Sequence, residues 1–273
     1  MKILSTIDDG AASFNAFKSS YMLARRIGYG IAAIHVDRGQ EYSTEFIEST
    51  KIQVKLVKEL RNISEELVIK IKETAKEADV YISEGVPSEE IINFIKENGV
   101  YKIISMGHST KTLITQSVTK TVLNNTSIPI LVTNQVQDFN NILFFIEDSK
   151  TAEKTINSTI SFLTSLKPAK VTALMVLPHI DDILNNYKNI AEIPFFNDPP
   201  DLKRNLAIFE ANQRKVLDEI VTVLNNTGIS TKALMIYGDT LDAIKYEAQK
   251  HDLLIMSRNN IYLSDHSLNI LFI

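Results

Sequence analysis

Carboxylates, hydroxyls, imidazoles and glycines are the groups from which a binding or catalytic site is assembled, and in this sequence they gather behind short apolar runs. Asp8-Asp9 follows Ile3-Leu4-Ser5-Thr6-Ile7, Gly85-Val86-Pro87 follows the run beginning at Val80, and Gly107-His108-Ser109-Thr110 follows Ile103-Ile104-Ser105-Met106, with Ser117-Val118 a few residues on. The glycine offers an unhindered backbone amide. Ser109, Thr110 and Ser117 can donate hydroxyl hydrogens to an oxyanion, and His108 adds charge when protonated. His108 reads equally as an exposed loop histidine. Asp8 and Asp9 can hold a ribose, an adenine or a metal; equally, acids at a strand end can cap the following helix and stay solvated.

Other chemistry has less to stand on. Asp8-Asp9 and Asp181-Asp182 are paired only in sequence, and sequence neighbours rarely share a site, so acid–base catalysis has little support. His35, His108, His179, His251 and His266 show neither the spacing of a helical metal pair nor a neighbouring nucleophile. His35 reads as a core or rim residue of a strand. The absence of cysteine removes disulfides, thiolate catalysis and cysteine-held metal. There is no Ser-Gly-Gly-x-Asp-Ser, no His-x-Gly-His and no Gly-x-x-x-x-Gly-Lys-Ser/Thr. A net charge of −4 argues against a surface that neutralises many phosphates, so nucleic acid is not expected as a partner. No stretch approaches membrane-spanning length, no signal-peptide core precedes Asp8, and the expectation is a cytoplasmic protein.

The elements that must position these groups repeat. Lys2 to Gly10 and Asn141 to Ser149 are both apolar runs ending in acids and a small residue, and both read as buried parallel strands. A helical pattern follows each: Phe14, Phe17, Tyr21 and Ala24 on one face, then Ile156, Ile160 and Leu163. Second apolar runs lie at Ile31–Val36 and Val171–Leu177. Charged amphipathic stretches at 44–78 and 201–227 read as covering helices with solvated faces. Third runs, Val80 to Gly85 and Thr231 to Gly238, both end in glycine and lead into short helices at 88–98 and 240–250. Fourth runs are Lys102–Met106 and Asp252–Met256.

The order of elements is thus duplicated, with a polar connector at 133–139. The copies diverge afterwards. The first continues through a helical pattern at 113–125 into a fifth strand, Ile128–Val132; the second has only residues 257–267 before a last strand, Leu268–Ile273. Residues 178–200, with Pro194, Pro199 and Pro200, read as a surface insertion. The pattern predicts an α/β protein of two tandem doubly wound, five-stranded parallel sheets, domain 1 at 1–135 and domain 2 at 139–273, with the second reduced near its C-terminal end. In such sheets ligands sit at the carboxyl ends of the strands. The two apolar fifth strands, otherwise open edges, are expected to meet each other.

At these residues the chain resembles the universal stress protein family, whose fold is of the adenine nucleotide alpha hydrolase type. Asp8 matches the family's first-strand aspartate, Gly85 and Pro87 its Gly-x-Pro, and Met106-Gly107 the opening of its phosphate loop. In ATP-binding members that loop runs Gly, two residues, Gly, nine residues, Gly, then Ser or Thr. Here Thr110 and Gln116 stand at the second and third glycines, and the interval is five residues. In the second copy Glu147 replaces the aspartate, and Ser257-Arg258 replaces the glycine and its neighbour.

The resemblance implies an ATP or other adenine nucleotide site in domain 1 formed by Asp8, Val36, Gly107, His108, Thr110, Ser117 and Val118, with Val36 contributing through its backbone, and no ligand in domain 2. It implies a non-enzymatic stress-response or regulatory protein, an internal pseudo-dimer of the two domains, and room for a further homodimer. The alternative of a different class is a nucleotide-free module that presents a surface to another protein. A weak ATP hydrolase stands last, because no base, metal cluster or arginine constellation specifies one.

Overall fold

The computed structural model describes residues 1–37, 64–107, 113–133, 135–147, 149–179, 199–258 and 268–273, and of 113–117, 149–154 and 199–203 the backbone alone. It divides into two compact units: Met1–Asp138 together with Arg258–Ile273, and Phe139–Ser257. No helix among the described residues is long and apolar enough to cross a membrane.

Unit 1 runs β1 (Lys2–Ile7), α1 (Ala11–Ile27), β2 (Gly30–Asp37), α2 (64–74), β3 (Asp79–Glu84), α3 (Pro87–Glu97), β4 (Tyr101–Gly107), α4 (Leu113–Asn125) and β5 (Ile130–Thr133). Its strands lie in the order β3-β2-β1-β4-β5, all parallel. Parallel strands are buried on both faces, which is why Ile3, Leu4, Ile31 to Ile34 and Ile103, Ile104 and Met106 form near-continuous apolar runs, all nearly inaccessible to solvent. Successive residues point to opposite faces. Ser105 meets α1, its hydroxyl directed at the Ala16 carbonyl, and Ser5 is its register partner; Thr6, one residue on, faces the other side with Ile34 and Met106. Both faces are thereby covered, as in a doubly wound sheet.

Helix α1 ends at Gly28, whose φ of +73° is the left-handed conformation that glycine adopts without cost, and Arg25 and Arg26 lie in the last turn, where the helix dipole favours cations. Its buried face differs from the expected one. Ser13, Ala16, Phe17, Ser20, Leu23 and Ala24 are buried, while Phe14 and Tyr21 flank the stripe half-buried. Three serines, Ser13, Ser19 and Ser20, occupy buried positions because their hydroxyls are satisfied, Ser20 Oγ by the Ala16 carbonyl of its own helix at 2.7 Å and Ser19 Oγ by the Gln135 carbonyl at 2.8 Å.

Unit 2 runs β6 (Asn141–Phe145), α5 (Ser149–Leu166), β7 (Lys170–Leu177), α6 (Pro199–Asn226), β8 (Thr231–Tyr237), α7 (Thr240–Ala248) and β9 (Leu253–Met256), with parallel order β9-β6-β7-β8. The covering helix expected from 201 starts at Pro199, the first helical turn being where proline's missing N–H costs nothing. Most of the proline-bearing stretch, residues 180–198, lies outside the described residues, as does much of the charged stretch from 44.

The duplication is visible in matched details. Gly85 donates its N–H to the Asp37 carbonyl at 2.9 Å and has φ +141°; Gly238 donates to the Leu177 carbonyl at 2.9 Å and has φ +135°. Each glycine turns the chain from a third strand into a short helix while tying it to the end of the neighbouring strand. The helices start differently: α3 has Pro87 in its first turn, whereas α7 is capped by Asp239, which accepts the Asp242 N–H at 2.9 Å.

The two fifth strands do meet. β10 (Ile270–Phe272) pairs antiparallel with β5, Ile270 opposite Val132, Leu271 opposite Leu131 and Phe272 opposite Ile130. The contact assigns 258–273 to unit 1, so unit 2 ends at Ser257 where the sequence pattern runs domain 2 on to 273. An apolar strand of three buried residues gives more to the open edge of β5 than sequence order suggests.

Candidate functional site

The carboxyl ends of β1, β2 and β4 and the facing sides of α3 and α4 enclose one cavity of about 80 Å³. Asp8 stands at its rim, Thr6 and Ile7 come from β1, Ile34 and Val36 from β2, and Met106 and Gly107 from β4. Helix α3 contributes Pro87 and Ile91, and α4 contributes Val118 and Thr119. Gly85 sets where α3 begins, because its positive φ turns the chain so that Pro87 opens the helix beside the cavity.

The β1–α1 turn is held by Ser13. Its Oγ lies 3.0 Å from the Asp8 carbonyl and 2.8 Å from the Gly10 carbonyl, and it accepts the Asp8 N–H at 3.2 Å. Asp8 Oδ1 accepts the Gly10 N–H at 2.9 Å, an Asx turn that orients the exposed carboxylate at the cavity mouth. Beside it, His35 Nδ1 lies 2.8 Å from the Ile7 carbonyl; a carbonyl only accepts, so Nδ1 carries the hydrogen and His35 is a rim residue fastening β2 to β1.

Gly107 is required for a reason the sequence does not reveal. A Cβ at this position would stand 2.4 Å from both Ser13 Cα and Ser13 N and 2.7 Å from the Ala12 carbonyl carbon. The first turn of α1 therefore lies directly against the backbone of β4. Gly107 is not one of the glycines with positive φ, which are Gly28, Gly85, Gly228 and Gly238. Close approach to the first turn of α1, rather than a left-handed backbone, demands glycine here.

Among the described residues, the corresponding corner of unit 2 leaves a much smaller space. Phe144, Phe145, Ile146, Glu147, Thr155, Ile156 and Ser257 leave about 10 Å³, the space of roughly one water-sized probe. Ser257 Oγ donates to Glu147 Oε1 at 2.9 Å, so the acid at the end of β6 is turned onto the end of β9. Arg258 follows, and its guanidinium donates to the carbonyls of Leu123, at 2.9 Å, Thr126 and Ile128 at the far end of α4. Half-burial pushes its pKa downward, opposing the charge that those oxygens hold in place.

Residues 1–134 match the universal stress protein family. That part of the chain belongs to it. A universal stress protein from Archaeoglobus fulgidus DSM 4304 is similar over 99% of this chain and 95% of its own, with TM-score 0.66 and 15% identity, a likeness of fold. Another from Archaeoglobus fulgidus, in complex with dAMP, covers 49% of this chain and 97% of its own at TM-score 0.35 and 17% identity. A family protein from Arabidopsis thaliana with AMP bound covers 50% and 92% at TM-score 0.37 and 13% identity. No curated protein matches the sequence.

Of the residues the family pattern singles out, Asp8, Val36, Gly107 and Val118 converge on the cavity. His108 and Thr110 lie outside the described residues, and Ser117 is described only as backbone within α4. Thr6, Ile34, Met106, Ile91 and Thr119 also line the walls, and of these only Met106 had been singled out, as part of the Met-Gly pair. The register of β1 with β2 and β4 could have found the first three, since Thr6 sits opposite both Ile34 and Met106.

Proposed function

We propose that this universal stress protein binds one adenine nucleotide per chain, in the cavity of unit 1, and acts as a regulatory binding protein without catalysing a reaction. The observation that carries the reading is the convergence of Asp8, Val36, Gly107 and Val118, drawn from three strand ends and a helix, on one cavity. The exposed Asp8 carboxylate suits a ribose or adenine edge, and the apolar walls from Ile34, Val36, Ile91 and Val118 suit a flat base. The Ser13 hydroxyl is engaged by the turn it closes, which leaves the cavity with groups fit for holding rather than for attack. The smaller space at the corner of unit 2, among the described residues, supports a stoichiometry of one.

A second reading, a nucleotide-free interaction module, is favoured by size. The cavity's 80 Å³ is well below the roughly 300 Å³ at which small-molecule pockets begin, so the ligand would lie across its mouth. Mass spectrometry of small molecules released from the freshly purified, denatured protein, followed by ATP calorimetry on the intact chain, separates the two. The expected result is about one adenine nucleotide per chain, held at the cavity of unit 1. No released nucleotide and no heat of ATP binding would overturn the nucleotide reading and direct attention to a protein partner.

A further inference from the structure

Helix α4 carries no basic residue in its own last turn. Its terminal carbonyls would be left to solvent or to the loop, yet they meet a cation supplied from the far end of the sequence. Arg258 Nη1 donates to the Leu123 carbonyl at 2.9 Å and to that of Thr126, and Nη2 donates to that of Ile128. A planar guanidinium spans carbonyls that diverge in this way; an ammonium, as a compact point charge, does not. The favourable end of the helix dipole for a cation is the end it occupies.

The clamp is connected to the cavity by one rigid element. Leu123 is one turn beyond Thr119, and Thr119 and Val118 form the α4 wall. Val122 and Leu123 are buried, so the clamped turn is also packed in the core. On the other side, Ile128 precedes Pro129, whose carbonyl accepts the Ile104 N–H at 2.9 Å, and then β5. Arg258 thus pins the junction between α4 and β5.

We propose that Arg258 is a positioning residue for the cavity of unit 1: by clamping the carbonyl end of α4 it fixes the wall formed by Val118 and Thr119, and so sets the affinity for the nucleotide. This rests on the reading that the cavity takes an adenine nucleotide. The same position stands in the second copy where the family's phosphate loop would begin, so a residue lost to one site serves the other.

The test is ATP calorimetry on the full chain and on R258M and R258K, at a temperature where each is fully folded by circular dichroism, with hydrogen exchange of residues 118–130. R26M is the control, because Arg26 also donates to a backbone carbonyl of unit 1, that of Asp138, at 2.6 Å and away from α4. The expected result is ATP binding weakened about tenfold in R258M, as for one lost charge-assisted hydrogen bond, and restored in part in R258K, with faster exchange at 118–130 and unchanged affinity in R26M. ATP affinity of R258M within roughly twofold of the parent, or an equal loss in R26M, would overturn the positioning role. Absence of ATP binding in the parent chain itself would overturn the nucleotide reading, and this inference with it.

Discussion

Gly107→Ala is the substitution whose cost the structure states most directly. The new Cβ would begin 2.4 Å from Ser13 Cα and N, and ordinary contact begins near 3.4 Å, so the gap must open by about 1.0 Å (3.4 − 2.4). What must move is the backbone of the first turn of α1, and Ser13 is tied into that turn through the Asp8 N–H and the carbonyls of Asp8 and Gly10. Overpacking against a backbone that cannot swing aside costs about 3 kcal/mol. For a unit of about 150 residues this lowers Tm by roughly 6–12 °C. Differential scanning calorimetry without nucleotide reads the shift. A Tm within about 2 °C of the parent would refute the close-approach argument. If the shift is found, a nucleotide-binding defect in this variant reports the displaced α1–β4 contact and is not by itself evidence of a phosphate contact.

Two further outcomes follow from unit 2. Burial pushes the His251 pKa below its ordinary 6.5, with Lys232 and Lys170 adding to the effect and the Glu247 carbonyl and carboxylate opposing it. Its Nδ1–H lies 2.8 Å from the Glu247 carbonyl and its Nε2 lies 3.0 Å from Thr172 Oγ1. The folded state therefore takes up the proton later than the unfolded chain, so stability holds above about pH 6.5 and falls as pH drops below it toward the folded value. His251→Gln should flatten that slope in urea titrations across this range, and an unchanged slope would place the titration elsewhere. At Gly238, with φ +135° and open space beyond His179 Nε2 at 3.6 Å, alanine suffers backbone strain and little crowding, so Gly238→Ala should lose about 1–3 kcal/mol by urea unfolding; a neutral result would mean the turn relaxes freely.

Much of this architecture was legible because buried parallel strands have no alternative but to be apolar. Ile3-Leu4, Ile103-Ile104 and Leu253-Leu254 announce themselves, and the paired glycines at 85 and 238 mark the repeat through a backbone conformation few other residues adopt. The buried face of α1 was misjudged because hydropathy scores Ser13 and Ser20 as polar, whereas each spends its hydroxyl on a carbonyl of its own turn or helix and packs as a small residue. Distances between elements left no trace in sequence. Nothing in Met106-Gly107 says that Ser13 lies against it, and nothing in Ser257-Arg258 says that the arginine will collect carbonyls 130 to 135 residues away. Asp8, Val36 and Gly107 at the strand ends and Val118 on α4 were readable from the family pattern, while Thr6, Ile34, Ile91 and Thr119 depend on register and packing.

The pairing of β10 with β5 also has a temporal side. Thr133 and Asn269, whose side chains meet where these strands join, are 136 residues apart in sequence. A ribosome adding about 5–20 residues per second takes on the order of ten seconds to cover that interval. During that time the sheet of unit 1 has its five parallel strands available and the flank of β5, with buried Ile130, Leu131 and Val132, still waits for its partner. A nascent chain with an apolar strand edge open for seconds is a substrate for holding chaperones and for pairing with a neighbour on the same messenger. The fold that closes its edge from within does so late in synthesis.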